Sequence, residues 1–289
     1  MPLSAAATCP LCLRSDVTLI KVAKYGESSM LHCDACGTEF LSPQPDDDRL
    51  ADIYGPNYYL PWSSESQSNV VAMKQKTFSR ALNLVGPTPT NNVLELGSAT
   101  GDFAELAVRL GLQFFGIDLN HDACISARSR VPDGSFHIGT LKNHPWDNVD
   151  FSLVVMFDFL EHVRDPRAEL RSLYSLLSEG GKVLISTPDS TSFSRKVLRK
   201  FWPQYREEHL VLCSKTGLVD LLEDIGFTVV SASMTKKYVT LNYLLGQLQA
   251  FPVPILTQLI SSIWRFIPLA KSKPIGFYFG EMTIVAQRK

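Results

Sequence analysis

Val93-Leu94-Glu95-Leu96-Gly97-Ser98-Ala99-Thr100-Gly101-Asp102-Phe103 decides how this chain is read. An apolar run carrying one acid ends in closely spaced glycines and enters Phe103-Ala104-Glu105-Leu106-Ala107-Val108-Arg109-Leu110, whose apolar residues recur at helical spacing. That is a strand, a tight turn and a helix. Gly97 and Gly101 tolerate positive φ and let a ligand approach the backbone with no Cβ in the way. A second apolar run, Phe114-Phe115-Gly116-Ile117, ends in Asp118. An acid at a second strand tip, about 20 residues beyond the glycines, is placed to take both hydroxyls of a ribose. The expected ligand is a nucleoside.

The spacing narrows the choice. A dinucleotide site wants G-x-G-x-x-G, because backbone amides must cradle a pyrophosphate. Here the register is E-x-G-x-A-x-G, with no third glycine. It resembles motif I of the class I S-adenosylmethionine-dependent methyltransferases. The resemblance implies that Glu95 helps hold the methionine part of the cofactor and that Asp118 binds the ribose. Gly97, Ser98, Ala99, Gly101, Leu119, Leu141, Phe157 and Asp158 complete the implied cofactor-binding set. Ala99 stands where a middle glycine often lies, and only a slight tightening is expected from its methyl group.

Downstream, Asp150 to Phe157 reads as a buried strand leading into Asp158-Phe159-Leu160-Glu161-His162-Val163-Arg164-Asp165-Pro166. A helix is expected from about Arg167 to Leu177, stopped by Gly180-Gly181, before the strand Lys182 to Pro188. Gly226 to Val230 and Glu281 to Ala286 fit the final strands. Alternating strands and helices predict an α/β, Rossmann-like sheet, mainly parallel, with helices on both faces. The methyltransferase resemblance makes it seven-stranded, and helical additions are expected near the C-terminus.

The first residues form a different module. Cys9-x-x-Cys12 and Cys33-x-x-Cys36 have spacing close to that of four-cysteine zinc sites, about 20 residues apart. Metal binding would supply folding energy that so short a segment lacks. Two disulfides or free thiols are the alternatives. The N-terminus lacks the charged start and apolar core of a signal peptide, so a reducing cytoplasm, and zinc, are expected. Cys124 and Cys213 are left as ordinary thiols. The expected boundaries are 1–42 for the ribbon, 43–84 for a linker, aromatic loop and lead-in helix, and 85–289 for the methyltransferase domain, with substrate-side insertions at about 190–215 and 236–275.

A chain of 289 residues can hold one such domain plus small additions. A net charge of −1 gives no general pull toward nucleic acid, which counts against a zinc-ribbon RNA methyltransferase. Pro43 to Asp48 is a linker whose acids start a helix at about Arg49, and Val70 to Leu84 reads as a second helix. Between them, Tyr54, Tyr58, Tyr59 and Trp62 lie in a Pro/Gly/Ser-rich loop that either packs the ribbon onto the domain or covers substrate.

Arg195, Lys196, Arg199, Lys200 and Arg206, interleaved with aromatics, read either as a solvated basic helix or as a phosphate-binding face. Glu207-Glu208-His209-Leu210 follows. The chain here is similar to bacterial sugar methyltransferases that carry an N-terminal zinc ribbon. That similarity implies a general base at His209, oriented by Glu208, and a sugar or glycan precursor as acceptor; Tyr205 is one residue off the expected spacing. His162 is the competing base. Asp158-x-x-Glu161-His162 also resembles ubiquinone-type O-methyltransferases, in which such residues hold a divalent cation.

From Tyr238 to Trp264 no residue is charged, yet amides and Pro252 and Pro254 interrupt the run. Two amphipathic helices fit better than a membrane span. They could cover the active site, join two copies or lie on a membrane surface beside Arg265, Lys271 and Lys273. The oligomeric state stays open.

Overall fold

The computed structural model describes residues 7–20, 27–55, 67–250 and 273–289. Its centre is a seven-stranded sheet in the order β10-β13-β8-β7-β4-β5-β6. The strands are β4 (Asn92–Leu96), β5 (Gln113–Asp118), β6 (Ser135–Ile138), β7 (Phe151–Phe157), β8 (Leu177–Pro188), β10 (Phe227–Met234) and β13 (Glu281–Arg288). β4 pairs in parallel with both β5 and β7, and β7 with β8, whereas β13 runs antiparallel to β8 and β10. Helices α3 (Asp102–Arg109), α4 (His121–Arg130), α5 (Pro166–Leu176) and α7 (Lys215–Ile225) make the crossovers. The parallel strands read as nearly unbroken apolar runs because both their faces are covered. Val154, Val155 and Met156 of β7 and Val183, Leu184 and Ile185 of β8 are fully buried. Strand order reverses between β4 and β7, so a crevice opens at their carboxyl ends.

Local signals explain most boundaries. Asp46, Asn120, Asp165, Ser192 and Ser214 each accept an amide hydrogen bond from the first turn of α1 (Asp47–Ile53), α4, α5, α6 (Phe193–Leu198) and α7, capping those helices. α1 starts two residues before the expected Arg49, and α2 (Gln67–Leu82) lies slightly N-terminal to the expected range. The glycine pair acts differently from the expectation. α5 ends at Leu176, and Gly180 (φ +71°) and Gly181 lie within β8, where the pairing with β7 jumps from Leu177 to Lys182. They shape an irregularity in the strand rather than stopping the helix.

The cysteine module is built into the domain. β1 (Val17–Leu19), β2 (Ser29–Cys33) and β3 (Glu39–Ser42) form an antiparallel sheet. Its fourth strand is β9 (Val211–Leu212), from the 190–215 insertion. The Ser190 hydroxyl donates to the Gly37 carbonyl at 2.7 Å, and the Arg167 guanidinium to that of Leu11 at 3.0 Å. Beyond β10, β11 (Lys237–Val239) pairs with β12 (Ile275–Phe277), and α8 (Leu241–Ala250) follows β11. The rest of the uncharged segment, Tyr58, Tyr59 and Trp62 lie outside the described residues. No helix among the described residues is long and apolar enough to cross a membrane.

Candidate active site

The turn after β4 is shaped by left-handed backbone. Gly97, Ala99 and Gly101 have φ of +77°, +42° and +80°. Ala99 therefore does more than tighten the turn: it holds a conformation that disfavours a Cβ. Its amide donates to Asp118 Oδ2 at 2.8 Å, while the Asn120 amide donates to Oδ1 at 2.8 Å. Asp118 thus braces the turn from the tip of β5. Burial raises its pKa, against the pull of those amides.

Glu95 is buried, and among the described residues neither its Oε2 nor the buried Ser98 Oγ has a hydrogen-bond partner. Burial, then the nearby charges of Asp102 and Asp118, push the Glu95 carboxyl well above its usual range. Such a group is costly to leave unsatisfied, and a ligand cation would relieve it. Tyr54, Gly55, Thr100 and Asn120 to Ala123 line a cleft beside this turn.

The other implied cofactor residues divide. Leu119 is exposed at the cleft edge, whereas Leu141 is buried in the core. The Phe157 ring packs on Phe78 and Phe103, with centroids 4.5 and 5.2 Å away. Asp158 has φ +51°, and its Oδ2 accepts from Lys237 Nζ at 2.8 Å.

Phe159 links this turn to the chemistry beyond it. A Cβ on Gly97 would meet the Phe159 ring at 2.8 Å, so Gly97 is what lets the Leu160–His162 turn lie against the glycine turn. Glu161, His162 and His209 converge there, their ligand atoms within 4.8 Å of one another. The two imidazoles meet edge to face at 4.9 Å. His209 Nδ1 is 2.8 Å from the Gln204 carbonyl; a carbonyl only accepts, so Nδ1 carries the proton and Nε2 keeps its lone pair. His162 Nδ1 lies 3.0 Å from the Glu208 carbonyl and 2.7 Å from the Tyr54 hydroxyl, which can either donate or accept.

Burial lowers His162 to about 4, and burial plus the neighbouring imidazole takes His209 well below its ordinary value. Both rings are neutral at pH 7. Glu161 is buried, accepts from the Thr187 hydroxyl at 2.9 Å, and is pushed up to about 8 by burial and then by Asp158. Lys237 Nζ bridges Asp158 and Glu281 Oε1, the latter at 2.7 Å. Burial opposes its charge, but the two carboxylates outweigh that and raise its pKa.

Two readings are corrected by this geometry. Glu208 does not orient the His209 ring: its carboxylate lies 3.8 Å from Arg206, and a backbone carbonyl holds His209 instead. Asp158 does not join Glu161 and His162 as a ligand set; it is engaged by Lys237, and His209 takes the third place. Tyr205, one residue off the spacing of the sugar-methyltransferase resemblance, donates to Glu39 Oε2 at 2.8 Å. Lys237, Glu281, Thr187 and the Gln204 carbonyl were not anticipated from the sequence. Glu281 carried a faint signal, an acid opening an otherwise apolar strand.

In the cysteine module the sulfurs of Cys9 and Cys36 are 3.7 Å apart, those of Cys12 and Cys33 3.5 Å, and all four lie within 4.8 Å. These pairs are not disulfides. Tetrahedral zinc with 2.3 Å bonds needs sulfurs roughly 3.8 Å apart, so the donor set fits that ion. The hydrogen bond from Cys9 draws the Cys36 thiol down toward the thiolate form that zinc requires.

The sheet order, the left-handed turn after its first parallel strand and the acid at the next strand tip define a Rossmann-like class I methyltransferase fold. The chain belongs to the methyltransferase-domain family, whose profile matches residues 70–232. It is similar to a Mycolicibacterium smegmatis protein named "Probable S-adenosylmethionine-dependent methyltransferase", 28% identical over 48% of this chain and 52% of that one. It is also similar to the ubiquinone biosynthesis O-methyltransferase of Glaesserella parasuis, 31% identical over 35% of this chain and 46% of the relative. The chain thus spans about half the length of the curated relatives it matches. Among solved structures, magnesium protoporphyrin IX methyltransferase from Synechocystis PCC 6803 with bound SAH superposes with a TM-score of 0.57. That match covers 84% of this chain and 100% of that one at 15% identity, and shows the fold alone.

Proposed function

We propose that this protein transfers a methyl group from S-adenosylmethionine to a small polar acceptor, a sugar, nucleotide-sugar or glycan precursor, with His209 as general base. The observation that carries the reading is the pair of buried groups without a partner among the described residues, Glu95 Oε2 and Ser98 Oγ, at a left-handed turn braced by Asp118. Glu95 suits the ammonium of the methionine part. The Asp118 oxygens accept from the Ala99 and Asn120 amides, and a carboxylate offers about four lone-pair sites, which leaves capacity for ribose hydroxyls. S-adenosylmethionine would supply an electrophilic sulfonium methyl at this turn.

The residues beyond it bind and deprotonate the acceptor. Beyond the turn, Glu161, Thr187, Lys237 and Glu281 form a hydrogen-bonded polar group whose chemistry suits hydroxyls. Nε2 of His209 is the atom to receive the acceptor's proton, since its Nδ1–H is fixed on Gln204. A methyl-transfer assay on nucleotide-sugars tests this. His209→Ala should lower turnover roughly 10²- to 10⁴-fold with cofactor affinity unchanged. Turnover within a factor of about three of the parent would remove His209 from the role.

The four cysteines are assigned to a structural zinc ion in a reducing cytoplasm, which the matched donor geometry supports. A second reading has its own observation: Glu161, His162 and His209 could hold a divalent cation for O-methylation of a quinone-like acceptor. EDTA would then abolish turnover without loss of the ribbon's zinc, whereas base catalysis by His209 would survive that treatment.

A further inference from the structure

The segment joining β8 to β9 has a face that methyl transfer does not use. Residues 193–201 read Phe-Ser-Arg-Lys-Val-Leu-Arg-Lys-Phe, four cations and no acid. Phe193 is 81% exposed, Val197 59% and Phe201 46%. Lys196, Arg199 and Lys200 are exposed among them, and no carboxylate of the described residues pairs with any of the three. Lys200 lies over the Phe201 ring, 5.1 Å from its centroid. Large apolar side chains standing in water amid unneutralised cations need an occupant that is apolar in depth and anionic at its surface.

The back of the same segment is firmly held. Arg195 pairs with the fully buried Glu39, which also accepts from Tyr205, and Trp202 is buried. The exposed side chains therefore stand on a fixed platform, and the chain runs directly from it to His209. We propose that this face docks the protein on an anionic phospholipid bilayer, with Phe193, Val197 and Phe201 entering the headgroup boundary and Lys196, Arg199 and Lys200 meeting lipid phosphates. Lipid is favoured over nucleic acid because an exposed valine offers no base-stacking surface, and the chain's net charge of −1 supplies no wider basic field. Docking of this kind is peripheral and independent of the methyl-transfer reading.

The test is co-sedimentation of the full-length, zinc-loaded protein with phosphatidylcholine vesicles, with and without phosphatidylglycerol. The expected result is binding to the anionic vesicles, weakened by salt, and little to neutral ones. The K196Q/R199Q/K200Q variant should lower partitioning about a hundredfold, from three lost charges near the surface. F193S/V197S should weaken binding while keeping its salt dependence. Circular dichroism and thermal melting check that both variants remain folded. Absence of binding to anionic vesicles at low salt, or equal binding by the charge variant, would overturn the proposal. So would retention of polyuridine RNA with no vesicle binding, which would make the face a nucleic-acid surface.

Discussion

Gly97→Ala should be far more damaging than the loss of a glycine in a surface turn. Gly97 has φ +77°, and a Cβ there would lie 2.8 Å from Phe159 Cδ2 and 3.4 Å from that residue's Cβ and Cγ. The left-handed conformation costs an alanine about 1–2 kcal/mol. Overpacking against a ring wedged between two turns adds about 1–3 kcal/mol. The total, about 2–5 kcal/mol, is a large share of the 5–15 kcal/mol that holds a typical domain together. Urea unfolding followed by circular dichroism reads the loss directly.

A double-mutant cycle separates the two causes. Phe159→Ala removes the ring, so in its background Gly97→Ala should cost only the conformational part. The coupling should reach about 1–3 kcal/mol in the direction of rescue. Additivity of the two substitutions within about 0.5 kcal/mol would refute the claim that Gly97 exists to seat Phe159. A Gly97→Ala protein as stable as the parent would refute the strain as well.

Other consequences are equally direct. Glu208→Gln should keep turnover within about tenfold of the parent, because the Glu208 carboxylate faces Arg206 and not His209; a loss as deep as that of His209→Ala would contradict this placement. Cys12→Ser should abolish zinc retention, measured by atomic emission, and lower the melting temperature, because the module's strands hold β9 in register. Stability should fall as pH rises from about 6.5 to 8. Glu161 and Glu281, raised to about 8 and 7, keep protons in the folded state that the unfolded chain has already released. Below 6.5 the two neutral histidines act with the opposite sign, since the unfolded chain then binds more protons. Glu161→Gln should flatten the decline above 6.5, and an unchanged slope in urea unfolding across that range would reject the assignment.

Features set by neighbouring residues were legible in the sequence. The glycine turn, the acid at the tip of β5 and the apolar parallel strands each depend on spacing and on where φ must be positive. The Cys-x-x-Cys pairs were readable for the same reason. What escaped depends on distant chain segments meeting. β9 is two residues long and has no periodicity, yet it completes the cysteine module's sheet. The partner of His209 is a backbone carbonyl, which leaves no trace in residue identity, so the adjacent Glu208 took its place in the expectation. Lys237 meets Asp158 and Glu281 only because β11 follows β10 across the mouth of the sheet. Asp158 enters the O-methyltransferase alternative as a candidate ligand because nothing in its own segment reveals that lysine.

The central claim is that the turn after β4 binds S-adenosylmethionine through Glu95 and Asp118. Titration calorimetry of the zinc-loaded protein with S-adenosylmethionine, and with NAD in parallel, tests it most directly. The account predicts micromolar binding of S-adenosylmethionine, none of NAD, and loss of the signal in Asp118→Ala. Binding of NAD instead, or affinity for S-adenosylmethionine that Asp118→Ala leaves unchanged, would contradict it.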